Sequence, residues 1–130
     1  MSSSDKPQSK TYQISLNSKQ IHLLNKALDL HCRIHAGQIS EIEHVLPGLY
    51  DHDEVKTLLD KVKTLIFPEL GDSQSFGLSA KEESRVTYEM HSDIRRFLAY
   101  ERNPKGGITV DFDETYKVTK EPPLTIKVVE

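Results

Sequence analysis

The sequence has no tryptophan, a single cysteine and no long run of apolar residues. One cysteine, Cys32, excludes an internal disulfide and favours a reducing compartment. No apolar segment approaches the roughly 18 residues that a membrane-spanning helix needs, so we expect no membrane partner. The first five residues lack the basic and apolar regions of a signal peptide. We therefore expect a cytoplasmic protein.

Neither sign of charge dominates the chain. Its 130 residues include 17 basic and 20 acidic ones, for a net charge of −3, and 36% are hydrophobic. This balance argues against a polybasic protein that coats nucleic acid or a membrane surface, and we find no strong nucleic-acid signal. The length predicts one domain with a modest core. We expect residues 1–10 to be a disordered tail and residues 11–130 to form that domain.

Catalytic signatures are missing too. The sequence has no Gly-rich phosphate loop, CxxC pair or Ser/His/Asp order, which favours a non-enzymatic protein without a cofactor. Asp111 and Asp113 alternate along a predicted strand, and with Glu114 they could bind a divalent cation or act as an acid–base pair. Charged residues on the wet face of a sheet explain the same pattern.

The first helical pattern runs from about Ser18 to Ala36. Asn17 and Gln20 have the spacing of a capping box, in which each side chain satisfies a free amide of the first turn. Apolar residues cover more than half of the helix circumference. A helix of this kind packs against other elements on two sides, so we expect it to be the central helix.

Two further helices are predicted before residue 70. A short one covers roughly residues 39–45, and a longer one follows a cap at Asp51 or Asp53 and ends before Pro68. The longer helix has a narrow apolar stripe, which predicts a surface helix with one buried face. The stripe consists of Val55, Leu58, Leu59, Val62, Leu65 and Ile66.

The last helix is predicted to extend to Arg102, just before Pro104, which denies the preceding residue a helical conformation. Ser79 and Glu82 have capping-box spacing at its start. At 100° per residue, one arc of this helix is apolar and is expected to face the core. That arc comprises Val86, Met90, Ile94, Phe97, Leu98 and Tyr100.

Alternating apolar and polar residues predict strands at 12–16, 108–113 and 124–129, and Tyr116 and Val118 could extend the sheet. We therefore expect an α+β fold. Its small, mainly antiparallel sheet would have about three strands, the N-terminal one and two C-terminal ones. About four helices would pack on this sheet.

The face of the last helix opposite its apolar arc is the strongest candidate site. It carries Tyr88, His91, Arg95 and Arg102, and Phe76 lies in the loop before the helix. Guanidinium groups beside an aromatic ring suit an anionic ligand with a flat group that stacks. Two alternatives remain open: a solvated face held by pairs such as Arg85–Glu89 and Asp93–Arg96, and a hydrophobic staple at residues 76–78.

His31 and His35 are one helical turn apart, a spacing that can hold zinc. The alternative is a pair of core or interface histidines bonded to their neighbours. A metal site would need a third ligand, for which Glu41 and His44 are the candidates. Because the sequence displays only two clustered ligands, we expect no bound metal.

Three segments resemble a family of small bacteriophage proteins of unassigned function. They are Leu-Asp-Leu-x-x-Arg-Ile-x-x-Gly-Gln (Leu28 to Gln38), Arg-Asn-Pro-Lys-Gly-Gly-Ile-Thr-Val-Asp-Phe-Asp (Arg102 to Asp113) and Glu-Pro-Pro-Leu (Glu121 to Leu124). The resemblance implies a phage origin and the host cell cytoplasm as the location. Small non-catalytic phage proteins often act against host defence, some by sequestering nucleotide-derived signals, and that link is an analogy.

These observations favour a non-enzymatic phage accessory protein. It would bind an anionic, nucleotide-like ligand or a host protein, as a homo-oligomer and as a counter-defence sponge or inhibitor. One alternative is a small metal- or carboxylate-dependent hydrolase that uses His31 and His35, or Asp111 and Asp113. The other is a structural or regulatory protein whose polar helix face is an interface.

Overall fold

Three α-helices dominate the computed structural model, which describes residues 10–46, 48–71 and 74–129. They are α1 (Ser18–His35), α2 (His52–Ile66) and α3 (Glu82–Arg102). Short 3-10 helices cover Ile39–Val45, Gly77–Ser79 and Val110–Phe112. The predicted disordered tail lies outside the described residues except for Lys10. Of the described helices, none is long and apolar enough to cross a membrane.

Local sequence signals set most of the helix ends as predicted. The amide of Gln20 donates to the side chain of Asn17 and the amide of Asn17 donates to the side chain of Gln20, each at 2.9 Å, which confirms the capping box of α1. Asp51 caps α2 by accepting from the amide of Glu54 at 3.1 Å. After α1, Gly37 adopts a φ of 94°, a conformation that glycine reaches without strain.

The capping box predicted for α3 is wrong. Ser79 lies in a 3-10 turn and donates its hydroxyl to the carbonyl of Phe76 at 2.5 Å. Lys81 occupies the N-cap position without a side-chain hydrogen bond, and the helix starts at Glu82. The helix therefore begins later than the spacing of Ser79 and Glu82 indicates.

The predicted α+β fold is also wrong, because the described residues contain helices and no strand. In the C-terminal segment, backbone amides bind carboxylates of α3 instead of a neighbouring strand. Glu89 accepts from the amides of Val118 and Thr119 at 2.5 and 2.7 Å, and Asp93 accepts from that of Leu124 at 3.0 Å. Donors bonded to side chains in this way are not available to a sheet ladder.

The other two predicted strands are also absent from the described residues, each for a different reason. Residues 108–113 contain the 3-10 helix Val110–Phe112, whose Phe112 packs edge-on against Tyr100 with ring centroids 5.1 Å apart. The N-terminal segment leaves Tyr12 80% exposed and Ile14 75% exposed, so none of the described residues covers these two side chains. The alternation of apolar and polar residues thus identified segments with an apolar side, but it could not show whether a neighbouring strand was there to pair with them.

The central helix is α3, whereas α1 was expected in that position. No residue of α1 is buried, while α3 buries Ile94 and Ala99 at 2% and 0% exposure. The predicted apolar arc of α3 is only partly buried, since Phe97 is half-buried and Tyr100 is exposed. The remaining buried positions of α3 are Leu98, which belongs to the predicted arc, and three polar residues, Ser84, Glu89 and Ser92.

Helix α2 leaves most of its apolar stripe uncovered. Leu58, Leu65 and Ile66 are 53%, 82% and 57% exposed, against the prediction of a buried face. Its one buried residue is Lys63, whose ammonium donates to the carbonyl of Gln74 at 2.6 Å. The helix is therefore anchored by a polar contact, and its apolar side faces outward.

Candidate functional site

The candidate site is a cleft between α1 and α3, where the two helices meet through polar side chains. Ser84 donates its hydroxyl to the carbonyl of Cys32 at 2.9 Å. Nδ1 of His91 lies 2.8 Å from the side-chain oxygen of Asn25. The face of α3 that was expected to be opposite the core thus packs on α1.

The cleft has a volume of about 280 Å³. Its lining combines three guanidinium groups with one aromatic ring, one imidazole and one carboxylate. The side chains that carry this chemistry are Arg33, Arg85, Arg95, Tyr88, His91 and Asp29. Two further carboxylates, those of Glu41 and Asp111, lie outside the lining and form ion pairs with Arg33 and Arg95, so Arg85 is the lining cation without an ion pair among the described residues.

Arg33 is already compensated by acidic neighbours. Its guanidinium contacts Asp29 at 3.0 Å and Glu41 at 3.4 Å, and it donates to Gln38 at 3.1 Å. Burial alone would lower the pKa of Arg33, but Asp29 and Glu41 raise it overall. These contacts hold the Arg33 side chain in place at the edge of the cleft and leave it less able to bind a ligand.

Arg85 and Arg95 are the cations with spare donors. The Nε atom of each is buried and has no hydrogen-bond partner. Nε of Arg95 forms an ion pair with Oδ1 of Asp111 at 3.6 Å, too far for a good hydrogen bond, and Arg85 has no ion pair among the described residues. A buried donor without a partner costs about 1–3 kcal/mol, so an anion that accepts from both would recover that cost.

His91 contributes a neutral group to the cleft at neutral pH. Its side chain is 15% exposed. Burial lowers the pKa of His91, and the nearby charge of Arg95 lowers it further, although Asp29 opposes both effects. The positive charge of the cleft therefore comes from its guanidinium groups.

The structure brings together three of the five residues predicted for the site: Tyr88, His91 and Arg95. Arg102 does not line the cleft, and its guanidinium lies 3.9 Å from Asp111. Phe76 packs against Phe67 with ring centroids 5.6 Å apart, so it makes an aromatic contact between the two ends of the segment that joins α2 to the 3-10 helix Gly77–Ser79.

Sequence reasoning missed Arg85, which it paired with Glu89. In the structure Glu89 binds the C-terminal segment instead, and its carboxylate forms an ion pair with Lys117 at 2.9 Å. Neither proposed surface pair forms, because Asp93 binds the amide of Leu124 and Arg96 donates to the carbonyl of Phe112 at 3.3 Å. A signal did exist, since Arg85 and Tyr88 are three residues apart on one helix face.

The alternative catalytic residues are placed as follows. Asp111 pairs with the two arginines Arg95 and Arg102, and it lies in a 3-10 helix instead of a strand. His31 and His35 lie beside Glu83 of α3, whereas Glu41 and His44 contact each other at 3.1 Å.

Comparison with protein-family models finds no match to this chain. No curated protein and no solved structure is significantly similar to it either. The resemblance to small bacteriophage proteins therefore stays a prediction from the sequence motifs.

Proposed function

We propose that this protein is a binding module for a small anionic ligand, held in the cleft between α1 and α3. The observation that carries the proposal is the pair of buried Nε atoms of Arg85 and Arg95 in that cleft, neither of which makes a hydrogen bond. Guanidinium groups suit phosphate and carboxylate because their donors match two acceptor oxygens at once.

Tyr88 indicates the second part of the ligand. Its half-buried ring lines the same cleft as the two arginines. A tyrosine offers a flat apolar face together with a polar tip. The cleft, at about 280 Å³, is near the lower limit for ligand pockets of roughly 300 Å³. A phosphate with one planar ring, as in a mononucleotide, fits these features best.

A screen of small anions tests this function. Thermal shift and calorimetry would compare inorganic phosphate, pyrophosphate, nucleoside monophosphates, cyclic nucleotides and uncharged nucleosides. We expect a compound with both ring and phosphate to bind more tightly than phosphate alone, and added salt to weaken binding. Equal binding of a nucleoside and its phosphate, or no binding by any anion, would refute the proposal.

We also propose that the exposed stripe of α2 binds a second copy of this chain. Val55, Leu58, Val62 and Leu65 follow the alternating spacing of three and four residues that forms a helix–helix seam. Ile66 of the same helix is also exposed, at 57%, as are Leu46 and Leu49 before the helix, at 46% and 96%, and large exposed apolar surfaces mark interaction sites. Glu54 and Lys61 flank the seam with opposite charges, which can pair between antiparallel copies.

The biological role rests on the sequence motifs and on analogy. If the chain is a phage accessory protein in the host cytoplasm, an anion-binding cleft suits a sponge for nucleotide-derived defence signals. The same cleft could instead accept an acidic side chain of a host protein. The screen separates these two ligands, because a cleft that accepts a side chain of a host protein is not required to bind a free nucleotide.

A further inference from the structure

His31 and His35 converge on one carboxylate oxygen of the neighbouring helix. Their rings stack with centroids 4.2 Å apart. Oε2 of Glu83, in the first turn of α3, lies 2.5 Å from Nε2 of His31 and 3.6 Å from Nε2 of His35. One ligand atom from each of the three residues lies within 4.8 Å of the others.

A hydrogen bond accounts for only one of these contacts. The 2.5 Å contact of His31 is short enough for one, and the 3.6 Å contact of His35 is not. A double ion pair is no better an explanation, since two stacked imidazolium rings would repel each other. A cation bound to all three atoms would account for the convergence with both imidazoles neutral.

We propose that His31, His35 and Glu83 form a Zn²⁺ site that links α1 to α3. Neighbouring ligand atoms around tetrahedral zinc, bound at about 2.0–2.1 Å, are separated by roughly 3.4 Å. The 3.6 Å contact is close to that value, and the shorter one needs only a small retreat of the exposed Glu83 side chain. Two nitrogens and one oxygen favour zinc over magnesium and calcium, which prefer oxygen ligands alone.

The site differs from the anion cleft in its residues and in its chemistry. Its three ligands are each at least 38% exposed, so a fourth coordination position remains open to water or to a ligand atom from outside. Structural zinc sites are usually closed by four protein ligands. The sequence predicted no metal because it displays two ligands, and the third comes from a helix that begins 47 residues after α1 ends.

Titration of the metal-free, full-length protein with Zn²⁺ against a chromophoric chelator tests the site. We expect one zinc per chain and a higher melting temperature, because the metal binds only the folded arrangement. His31→Ala and Glu83→Gln should each weaken zinc affinity at least tenfold. His22→Ala is the matched control, since His22 is exposed on the same helix outside the cluster, and it should retain full affinity.

Absence of stoichiometric zinc binding overturns the site, and so does full affinity in both His31→Ala and Glu83→Gln. Circular dichroism of the metal-free variants checks that they fold. If one does not, His35→Ala replaces it, and the visible spectrum of bound Co²⁺ reports whether the coordination is tetrahedral. Arg85→Gln should leave zinc affinity unchanged, so failure of the zinc site and failure of the anion cleft can be told apart.

Discussion

Glu89 of α3 binds Thr119 of the C-terminal segment through both carboxylate oxygens. One oxygen accepts from the amide of Thr119 at 2.7 Å and the other from its hydroxyl at 2.5 Å. The Glu89 side chain is only 2% exposed, and Lys117 completes its surroundings at 2.9 Å. This buried carboxylate therefore holds the C-terminal segment against the central helix.

We predict that this contact makes stability depend on acid pH. Burial alone would raise the pKa of Glu89, but hydrogen bonds from Thr119, Lys117 and the amide of Val118 lower it from 4.5 to about 2. A carboxyl with a lowered pKa in the folded state stabilises the protein above its unfolded pKa. That stabilisation, on the order of 3 kcal/mol, should be lost as the pH falls from about 4.5 to about 2.

Urea unfolding of Glu89→Gln between pH 7 and pH 2 measures this effect. The variant should be about 2–3 kcal/mol less stable than the wild type at pH 7, and the difference should shrink toward pH 2. Glu101→Gln, an exposed position on the same helix, is the control and should change little. A constant difference at all pH values would show that the charge of Glu89 does not matter.

We predict that Ile94→Ala destabilises the fold more than Phe97→Ala. Ile94 is 2% exposed in the core, and truncating such a residue typically costs about 2–5 kcal/mol. Phe97 is half-buried, so its truncation leaves a smaller cavity. Denaturant midpoints of the two variants give the order. The reverse order would mean that Phe97, as its position in the predicted arc indicates, is the true core residue of α3.

We predict that Leu65→Glu dissociates an oligomer built on α2. Leu65 is 82% exposed within the chain, so a charge there costs the monomer little but would be buried between two copies. Light scattering coupled to size exclusion should report a dimer or larger for the wild type and a monomer for the variant. Thr64→Glu, also exposed on α2, is the control. A monomeric wild type would leave the stripe to a different protein and contradict the second-copy proposal.

Local sequence signals predicted the positions of the helices well. The structure of the predicted strands depended on long-range contacts, which the sequence does not reveal. Asn17 with Gln20, and the prolines at 68 and 104, act within one turn of chain and marked the helix ends correctly. The strands failed because alternation says nothing about pairing partners. The amides of Val118 and Thr119 bind a carboxylate about 30 residues away, and no spacing rule reveals that competition.

The candidate site was predicted in part for a similar reason. The sequence analysis singled out Tyr88 as an aromatic residue outside the apolar arc, and in the structure it lines the cleft with His91 and Arg95. Periodicity could not show that α1 packs on this face. Nor could it show that Arg85 is left without Glu89, or that Glu83 reaches His31 across 52 residues.

The affinity of the best anionic ligand for Arg85→Gln, measured by calorimetry beside Arg102→Gln, tests the central claim most directly. Both variants remove one guanidinium from α3, but only Arg85 lines the cleft. We predict that Arg85→Gln weakens binding by about 1.5–3 kcal/mol, the range for a charge-assisted hydrogen bond, while Arg102→Gln binds like the wild type. Full affinity in Arg85→Gln, or an equal loss in both variants, would contradict the assignment of this cleft as the binding site.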